Sequence, residues 1–311
     1  MPLIFVSVVC GVAGMNDFKR LGKIGTKAFA YYLLTTCVAV LIGLTLVNLI
    51  DPGFRFGDSF LGSQTEKETN TASYGAIFQQ KTLPAFLQSP FFPGQNPISV
   101  IVFAMLLGSA LASLGASGQV ALSVFQSLDS ALVRIIHWIM LLAPIGVFSL
   151  ISRVFAQEGF MYVFALSKFF TTVIIGLAIH FFILVFVLVP RLGKMPGKQF
   201  LEGVFPALEM AFSTSSSNAT LPTSLNCTIE RLGADPNISH FMLPVGATVN
   251  MDGTALYVAV ASVFIAQVYN IPLELKQQVT IFITAILVSI GTAGIPGASI
   301  GLLGVIFQTV G

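Results

Sequence analysis

Four long apolar runs without any Asp, Glu, Lys or Arg constrain this chain more than any other feature. They cover residues 29–50, 97–118, 135–152 and 169–189. A helix needs about 20 mostly apolar residues to cross the hydrocarbon core of a bilayer, and each run is close to that length. The sequence therefore predicts an all-α polytopic protein that crosses a lipid bilayer several times, in the cell (inner or plasma) membrane.

The composition of the chain excludes several other classes of protein. Only 9% of the 311 residues are charged, whereas soluble domains carry about 25% charged residues. The formal net charge of +2 is too close to zero to indicate a nucleic-acid partner. The three cysteines lie far apart and form no CxxC pair, so neither a zinc site nor a disulfide framework is expected.

Basic residues in two short loops set the expected orientation of the spans. Residues 17–27 contain four basic residues and residues 190–198 contain three. Short loops rich in Lys and Arg stay on the cytoplasmic side, so both loops are predicted there. The long polar segment at residues 51–81 is expected on the opposite side.

From residue 200 onward, the apolar segments become short and are interrupted by small polar residues. Residues 200–229 have a serine-rich tip at 213–218, and residues 277–311 have a glycine-rich tip at 291–297. Apolar arms of about 10–14 residues are too short to span and favour re-entrant segments. The sequence therefore predicts two re-entrant helical hairpins.

A third interruption, at residues 250–254, divides a predicted helix at about residues 241–270. Irregular backbone at membrane depth is tolerated only where protein buries it or water reaches it. We therefore expect all three interruptions to converge on one cavity. There, free N–H groups at the start of a half-helix suit a carboxylate, and free carbonyls at the end of another suit a small cation.

Asp252 is the only charged residue between residues 241 and 273. A carboxylate at the bilayer centre costs about 2.5–3.5 kcal/mol. Its neighbours in sequence include oxygen-bearing Thr248, Asn250 and Thr254 but no basic residue, so a hard cation is the predicted partner. Two alternatives stay open: Asp252 caps the second half-helix, or it pairs with a distant base. The histidines, which we expect to be packed or interfacial residues, are His137, His180 and His240.

Four motifs resemble the dicarboxylate/amino acid:cation symporter family, which includes glutamate transporters. Residues 214–222 (TSSSNATLP) resemble its first hairpin tip, and residues 289–297 (SIGTAGIPG) resemble its second. Residues 243–257 (LPVGATVNMDGTALY) resemble its broken helix, and residues 31–36 (YYLLTT) resemble its third helix. The resemblance covers nearly the whole chain. It implies inverted repeats of the glutamate-transporter type and a fragment that lacks the first and last transmembrane helices.

The resemblance further implies a homotrimer with two domains in each protomer. Residues 1–15 and 82–152 would form part of a scaffold and trimerisation domain. Residues 28–50 and 160–311 would form part of a transport domain, which moves against the scaffold like an elevator.

Position by position, the resemblance also implies binding residues. The implied substrate contacts are Ser215, Ser216, Ser217, Thr254, Gly294, Ile295, Pro296 and Gly297. The implied sodium ligands are the backbone of Gly246 and Asn250; Thr248 with the carbonyls of Ser289, Ile290 and Thr292; and Tyr32, Thr35, Thr36, Asn250 and Asp252. Asn218 departs from the serine or other small residue usual at its position.

The implied activity is sodium-coupled symport of a small anionic or zwitterionic amino acid, either glutamate or aspartate or a small neutral one. Sodium would be co-transported, and no organic cofactor is expected. A proton-coupled or C4-dicarboxylate symporter of the same family stays open, as does an ion channel. The chain is not expected to be an enzyme, because no pair of nucleophile and base is evident at a matching depth.

Overall fold

A computed structural model of the chain describes residues 2–14, 23–53, 97–158 and 161–290, together with positions 292, 294 and 299. All regular structure within these residues is helical. The first helices are α1 (Pro2–Gly14), α2 (Lys23–Ile50), α3 (Pro97–Ser113), α4 (Gln119–Met140) and α5 (Ala143–Glu158). They are followed by α6 (Met161–Phe182), α7 (Gly197–Thr214), α8 (Ser217–Asn226), α9 (Pro236–Val249), α10 (Asp252–Val268) and α11 (Leu275–Ile290). Wider π-type turns extend α6 over Ile183–Gly193 and α8 over Cys227–Arg231.

Three stretches of the described chain are long and apolar enough to cross a membrane. They are Thr26–Ile50, Leu166–Gly193 and Ile238–Val268. The first two contain the predicted runs at residues 29–50 and 169–189, and the third contains the predicted break. The helical composition and these apolar stretches agree with an all-α membrane protein.

Helix α10 lies at the centre of the larger hydrophobic core, packed against α2, α6 and α11. Its Ala255, Leu256 and Val260 are 0% exposed. A β-carbon added to Gly43 of α2 would lie 3.1 Å from Val260 Cγ2 and 3.2 Å from the Leu256 carbonyl oxygen. Such close backbone approach is a common way to pack helices in a membrane, where lipid competes for apolar contacts.

A second core joins α1 to α3 and α4. Val8 and Val9 of α1 and Ala104 of α3 are almost completely buried there. On α4 and α5, by contrast, large apolar side chains such as Trp138 and Phe148 are exposed. An apolar surface of this kind is typical of contact with lipid or with another protein.

The end of α2 is tied to α10 by Gln267. Asp51 takes a positive φ of 44°, which ends the helix just before Pro52. Gln267 Nε2 donates to the Val47 carbonyl (3.1 Å) and to Asp51 Oδ1 (2.9 Å), and Gln267 Oε1 accepts the Gly53 N–H (3.1 Å). These bonds fix how α2 lies along α10, and so bring the middle of α2 alongside the start of α10.

Candidate functional site

Only Ser215 and Ser216 separate α7 from α8. Ser215 has left-handed backbone angles (φ 51°, ψ 29°), and the Ser216 Oγ accepts the Ala219 N–H at 3.3 Å. The longer tip predicted at residues 213–218 is therefore wrong in length. Ser216 caps α8 at once, so Ser217 is already helical.

The break between α9 and α10 consists of Asn250 and Met251, inside the predicted interruption. The last bond of α9 runs from the Asn250 N–H to the Gly246 carbonyl (3.0 Å), and the first of α10 runs from the Ala255 N–H to the Met251 carbonyl (3.0 Å). Carbonyls just after Gly246 and N–H groups just before Ala255 therefore lack helical partners. The predicted broken helix thus provides both kinds of backbone group that a ligand can use.

The second tip meets the first at Gly294. Its carbonyl oxygen accepts hydrogen bonds from the Ser216 hydroxyl (2.7 Å) and from the Asn218 N–H (3.1 Å). A β-carbon on Gly294 would lie 2.9 Å from Asn218 Oδ1 and 3.1 Å from Ser217 Cβ. The structure therefore brings together predicted substrate contacts that lie almost 80 residues apart.

Five predicted sodium ligands from α2 and the break converge. Thr36 Oγ1 donates to Asp252 Oδ1 (2.7 Å), and Thr35 Oγ1 lies 3.1 Å from Asn250 Oδ1. Thr36 and Thr35 Oγ1 also lie 2.9 Å and 3.0 Å from the Tyr32 carbonyl oxygen. Both threonines are 1% exposed. Two hydroxyls, a carbonyl, an amide oxygen and a carboxylate are the ligand types that hard cations prefer.

The Asn250 amide shows how this cluster is balanced. As it lies in the structure, its Oδ1 faces only acceptors. Turned over, the amide nitrogen would donate to Thr35 Oγ1 (3.1 Å), the Tyr32 carbonyl (3.2 Å) and Asp252 Oδ1 (3.0 Å). The Thr35 and Thr36 hydroxyls can each donate only one hydrogen to this group of oxygens, so a positive charge or a further donor would stabilise the group. The cluster thus suits either a bound cation or the turned amide.

Asp252 has a basic partner, His180, which the sequence analysis did not identify although it left pairing with a distant base open. The carboxylate is 8% exposed, and its Oδ2 lies 2.9 Å from Nε2 of His180, which is 5% exposed. The alternative that Asp252 pairs with a distant base is therefore observed, and a cation at the other carboxylate oxygen stays a prediction. The capping alternative is not observed: Asp252 is the first residue of α10, and Met251 holds the N-cap position without a side-chain bond.

A cavity of about 500 Å³ opens beside the break. Ser217 of the first tip, the break residues and Thr254 of α10 line it, together with His180 and Phe181 of α6. A second cavity, of about 570 Å³, lies between α9 and the helix pair α7 and α8. Both cavities are lined by Phe181, Ser217 and Asn250, so the first tip and the break stand between them.

Further predicted sodium ligands lie in two groups, Thr248 of α9 and Ser289, Ile290 and Thr292 around the start of the second tip, and no hydrogen bond joins the two groups in the described part of the chain. The hydroxyls of Thr248, Ser289 and Thr292 each donate to a backbone carbonyl three or four residues earlier, at 2.8–3.0 Å. Ile290 ends α11. The described residues give no hydrogen bond between Thr248 and this group, so a sodium site there stays a prediction. The predicted contacts that lie outside the described residues are Ile295, Pro296 and Gly297.

Comparison with known proteins shows the family to which the chain belongs. The family described as "Sodium:dicarboxylate symporter family" matches residues 1–311. The chain belongs to this family. An excitatory amino acid transporter of Caenorhabditis elegans is 34% identical over 100% of this chain and 70% of its own length. A neutral amino acid transporter B(0) of Oryctolagus cuniculus is 33% identical, over 100% of this chain and 63% of its own length. The proton/glutamate-aspartate symporter of Escherichia coli strain K12 is 33% identical, over 100% and 72%.

Membership of the sodium:dicarboxylate symporter family confirms the resemblance seen in the sequence. It indicates a membrane transporter rather than an enzyme. Two site residues of this family member, His180 and Met251, were not among the predicted contacts. Met251 lies inside the recognised motif, but His180 carries no local signal, because only the packing of α6 against α10 brings it to Asp252.

Proposed function

We propose that this protein is a sodium-coupled secondary transporter of an amino acid. The observation that carries the proposal is the buried cluster of oxygen atoms from Tyr32, Thr35, Thr36, Asn250 and Asp252. Sodium is a hard cation, and the cluster supplies neutral oxygens together with one carboxylate. Sodium is cargo in this proposal, and the remaining predicted ligands would supply further sites for it.

The substrate would bind in the cavity of about 500 Å³ beside the break. That volume lies within the ordinary range for small-molecule sites. N–H groups in the first turn of α10, which lie before the first helical bond at Ala255, would receive the substrate carboxylate, because a helix N-terminus favours negative charge. The relatives named for excitatory, neutral and glutamate or aspartate transport support an amino acid as the substrate class.

Coupling would arise because cation and substrate share the break. Asn250 and Asp252 belong to the oxygen cluster and also line the cavity. A sodium ion that fixes these two side chains would also fix the backbone of Met251 and Gly253 at the cavity wall. Substrate binding would then favour the same arrangement, and each ligand would strengthen the binding of the other.

Transport would follow an elevator movement. Two hydrophobic cores support it, one formed around α10 and the other formed by α1, α3 and α4, with Met105 of α3 packed against both. The transport part would comprise residues 28–50 and 160–311, and the scaffold part would comprise residues 1–15 and 82–152. In this proposal the tips belong to re-entrant hairpins of inverted repeats, the protein is a homotrimer, and it works in the plasma membrane.

Uptake into proteoliposomes that contain the full natural chain tests the proposal. Radiolabelled L-glutamate, L-aspartate, L-serine, L-alanine and succinate would be offered under an inward sodium gradient, an inward proton gradient or neither. We expect accumulation of at least one amino acid only under the sodium gradient. Accumulation driven by protons alone, or of succinate alone, would replace the proposal with another symporter, and steady currents without accumulation would indicate a channel.

A further inference from the structure

We propose that His180 is a positioning residue for the cation cluster: its Nε2–H holds the Asp252 carboxylate so that Oδ1 faces the other oxygen ligands. The proposal rests on the proposed role of Asp252 in binding sodium. It assigns to α6 a part in cation binding, although α6 supplies no oxygen ligand to the cluster.

The first support is that the two carboxylate oxygens of Asp252 contact residues of different helices. Oδ2 lies 2.9 Å from His180 Nε2, and Oδ1 accepts the Thr36 hydroxyl at 2.7 Å. The proposal assigns the shared hydrogen to the imidazole Nε2, because a carboxylate that binds a cation is only an acceptor. Because α6 and α2 hold opposite oxygens, the carboxylate cannot rotate without losing one of the two bonds.

The second support is the other nitrogen of the ring. His180 Nδ1 is buried and has no hydrogen-bond partner within the described part of the chain. Buried polar atoms are usually paired, because an unpaired one costs free energy. A histidine kept only for packing would gain from replacement by an apolar residue of similar size. Among the described residues, the one polar contact of the buried ring is that with Asp252.

The third support comes from the chemistry of metal ligands. Carboxylates and histidines that bind metals are themselves oriented by hydrogen bonds from residues behind them, and loss of such a partner weakens metal binding about 10- to 100-fold. His180 is such a hydrogen-bond partner, because it contacts Asp252 on the side away from the proposed cluster. Without its donor, the carboxylate is free to turn Oδ1 away from Thr36 and Asn250.

Three substitutions at one position test the geometry in the full natural chain. The amide nitrogen of glutamine reaches about as far as Nε2 of histidine, whereas that of asparagine reaches only about as far as Nδ1. We therefore expect His180→Gln to keep sodium affinity close to that of the wild type. His180→Asn and His180→Leu should raise the sodium concentration needed for half-maximal binding about tenfold or more.

Sodium binding would be read without transport, from the rise in melting temperature of the purified protein as sodium is added in the absence of substrate. The sodium dependence of uptake would be a second readout. Melting without sodium reports whether each variant is folded. If His180→Leu does not fold, His180→Gln and His180→Asn decide, because both are polar and contain the same amide group.

Equal sodium affinity in the Gln and Asn variants would overturn the positioning role, as would wild-type affinity in His180→Leu. Asp252→Asn separates this failure from failure of the proposed function. If Asp252→Asn weakens sodium binding and His180→Leu does not, only the positioning role is lost. If Asp252→Asn itself leaves sodium binding unchanged, the proposed sodium site is wrong.

Discussion

Replacing Gly294 by alanine should loosen the contact between the two tips. The added β-carbon would lie 2.9 Å from Asn218 Oδ1 and 3.1 Å from Ser217 Cβ, which is closer than such atoms normally approach. The Asn218 side chain is able to move, but Ser217 Cβ is fixed to the backbone of α8. Relief of the second contact therefore requires the tips to separate.

The cost follows from the two hydrogen bonds that the Gly294 carbonyl accepts, from the Ser216 hydroxyl at 2.7 Å and the Asn218 N–H at 3.1 Å. Each is worth about 1 kcal/mol net. Loss of one corresponds to about a fivefold change in the equilibrium between joined and separated tips, and loss of both to about 30-fold. The substrate concentration for half-maximal uptake should rise by a factor in this range at saturating sodium.

The assay is concentration-dependent uptake by the full natural chain in proteoliposomes, with Gly146→Ala as the control. A β-carbon on Gly146 would meet nothing within 4 Å, so this substitution should leave uptake unchanged. Asn218→Ala combined with Gly294→Ala should recover only part of the loss, because the contact with Ser217 remains. Unchanged half-saturation in Gly294→Ala would refute the reasoning that contact between the tips supports substrate binding.

Two further substitutions test other parts of the structure. Thr36→Val removes the hydroxyl that lies 2.7 Å from Asp252 Oδ1 and should raise the sodium concentration for half-maximal uptake about tenfold or more. Thr36→Ser keeps the hydroxyl and should leave this concentration unchanged. Equal sodium dependence in the two variants would contradict a ligand role for Thr36. Gly43→Val places atoms against Leu256 and Val260 and should destabilise the purified protein by about 1–3 kcal/mol. Its melting temperature should therefore be lower than that of the control variant Gly146→Val. Equal melting temperatures would contradict the close packing of α2 on α10.

The elements that the sequence predicts best are those with a local physical cause. Charge-free runs of the length of a bilayer predict the spans at residues 29–50 and 169–189. The runs at residues 97–118 and 135–152 are not single helices, because α3 ends at Ser113 and α4 ends at Met140. Small polar residues within apolar sequence mark the break at Asn250 and Met251. Asp252, which follows the break, points to a binding site there, because a carboxylate cannot lie in lipid without a partner. These signals depend only on neighbours in the chain, so they need no knowledge of packing.

Contacts between distant segments could not be predicted in the same way. His180 lies in an apolar run and resembles any packed histidine until α6 is placed against α10. The boundary of the first tip depends on a single capping hydrogen bond, which hydrophobic periodicity does not predict: Ser216 caps α8, and Ser217 is already part of the helix. The motif resemblance indicated which residues belong to the oxygen cluster, but their distances and the second partner of Asp252 come from the three-dimensional structure alone.

Equilibrium binding of radioactive sodium to the purified full-length protein, without substrate, tests the central claim most directly. Asp252→Asn removes the charge from the buried cluster, and Asp51→Asn makes the same change at an exposed carboxylate near the opposite end of α10. We expect Asp252→Asn to weaken sodium binding at least about tenfold and Asp51→Asn to leave it unchanged. Wild-type sodium binding by folded Asp252→Asn protein would contradict the account.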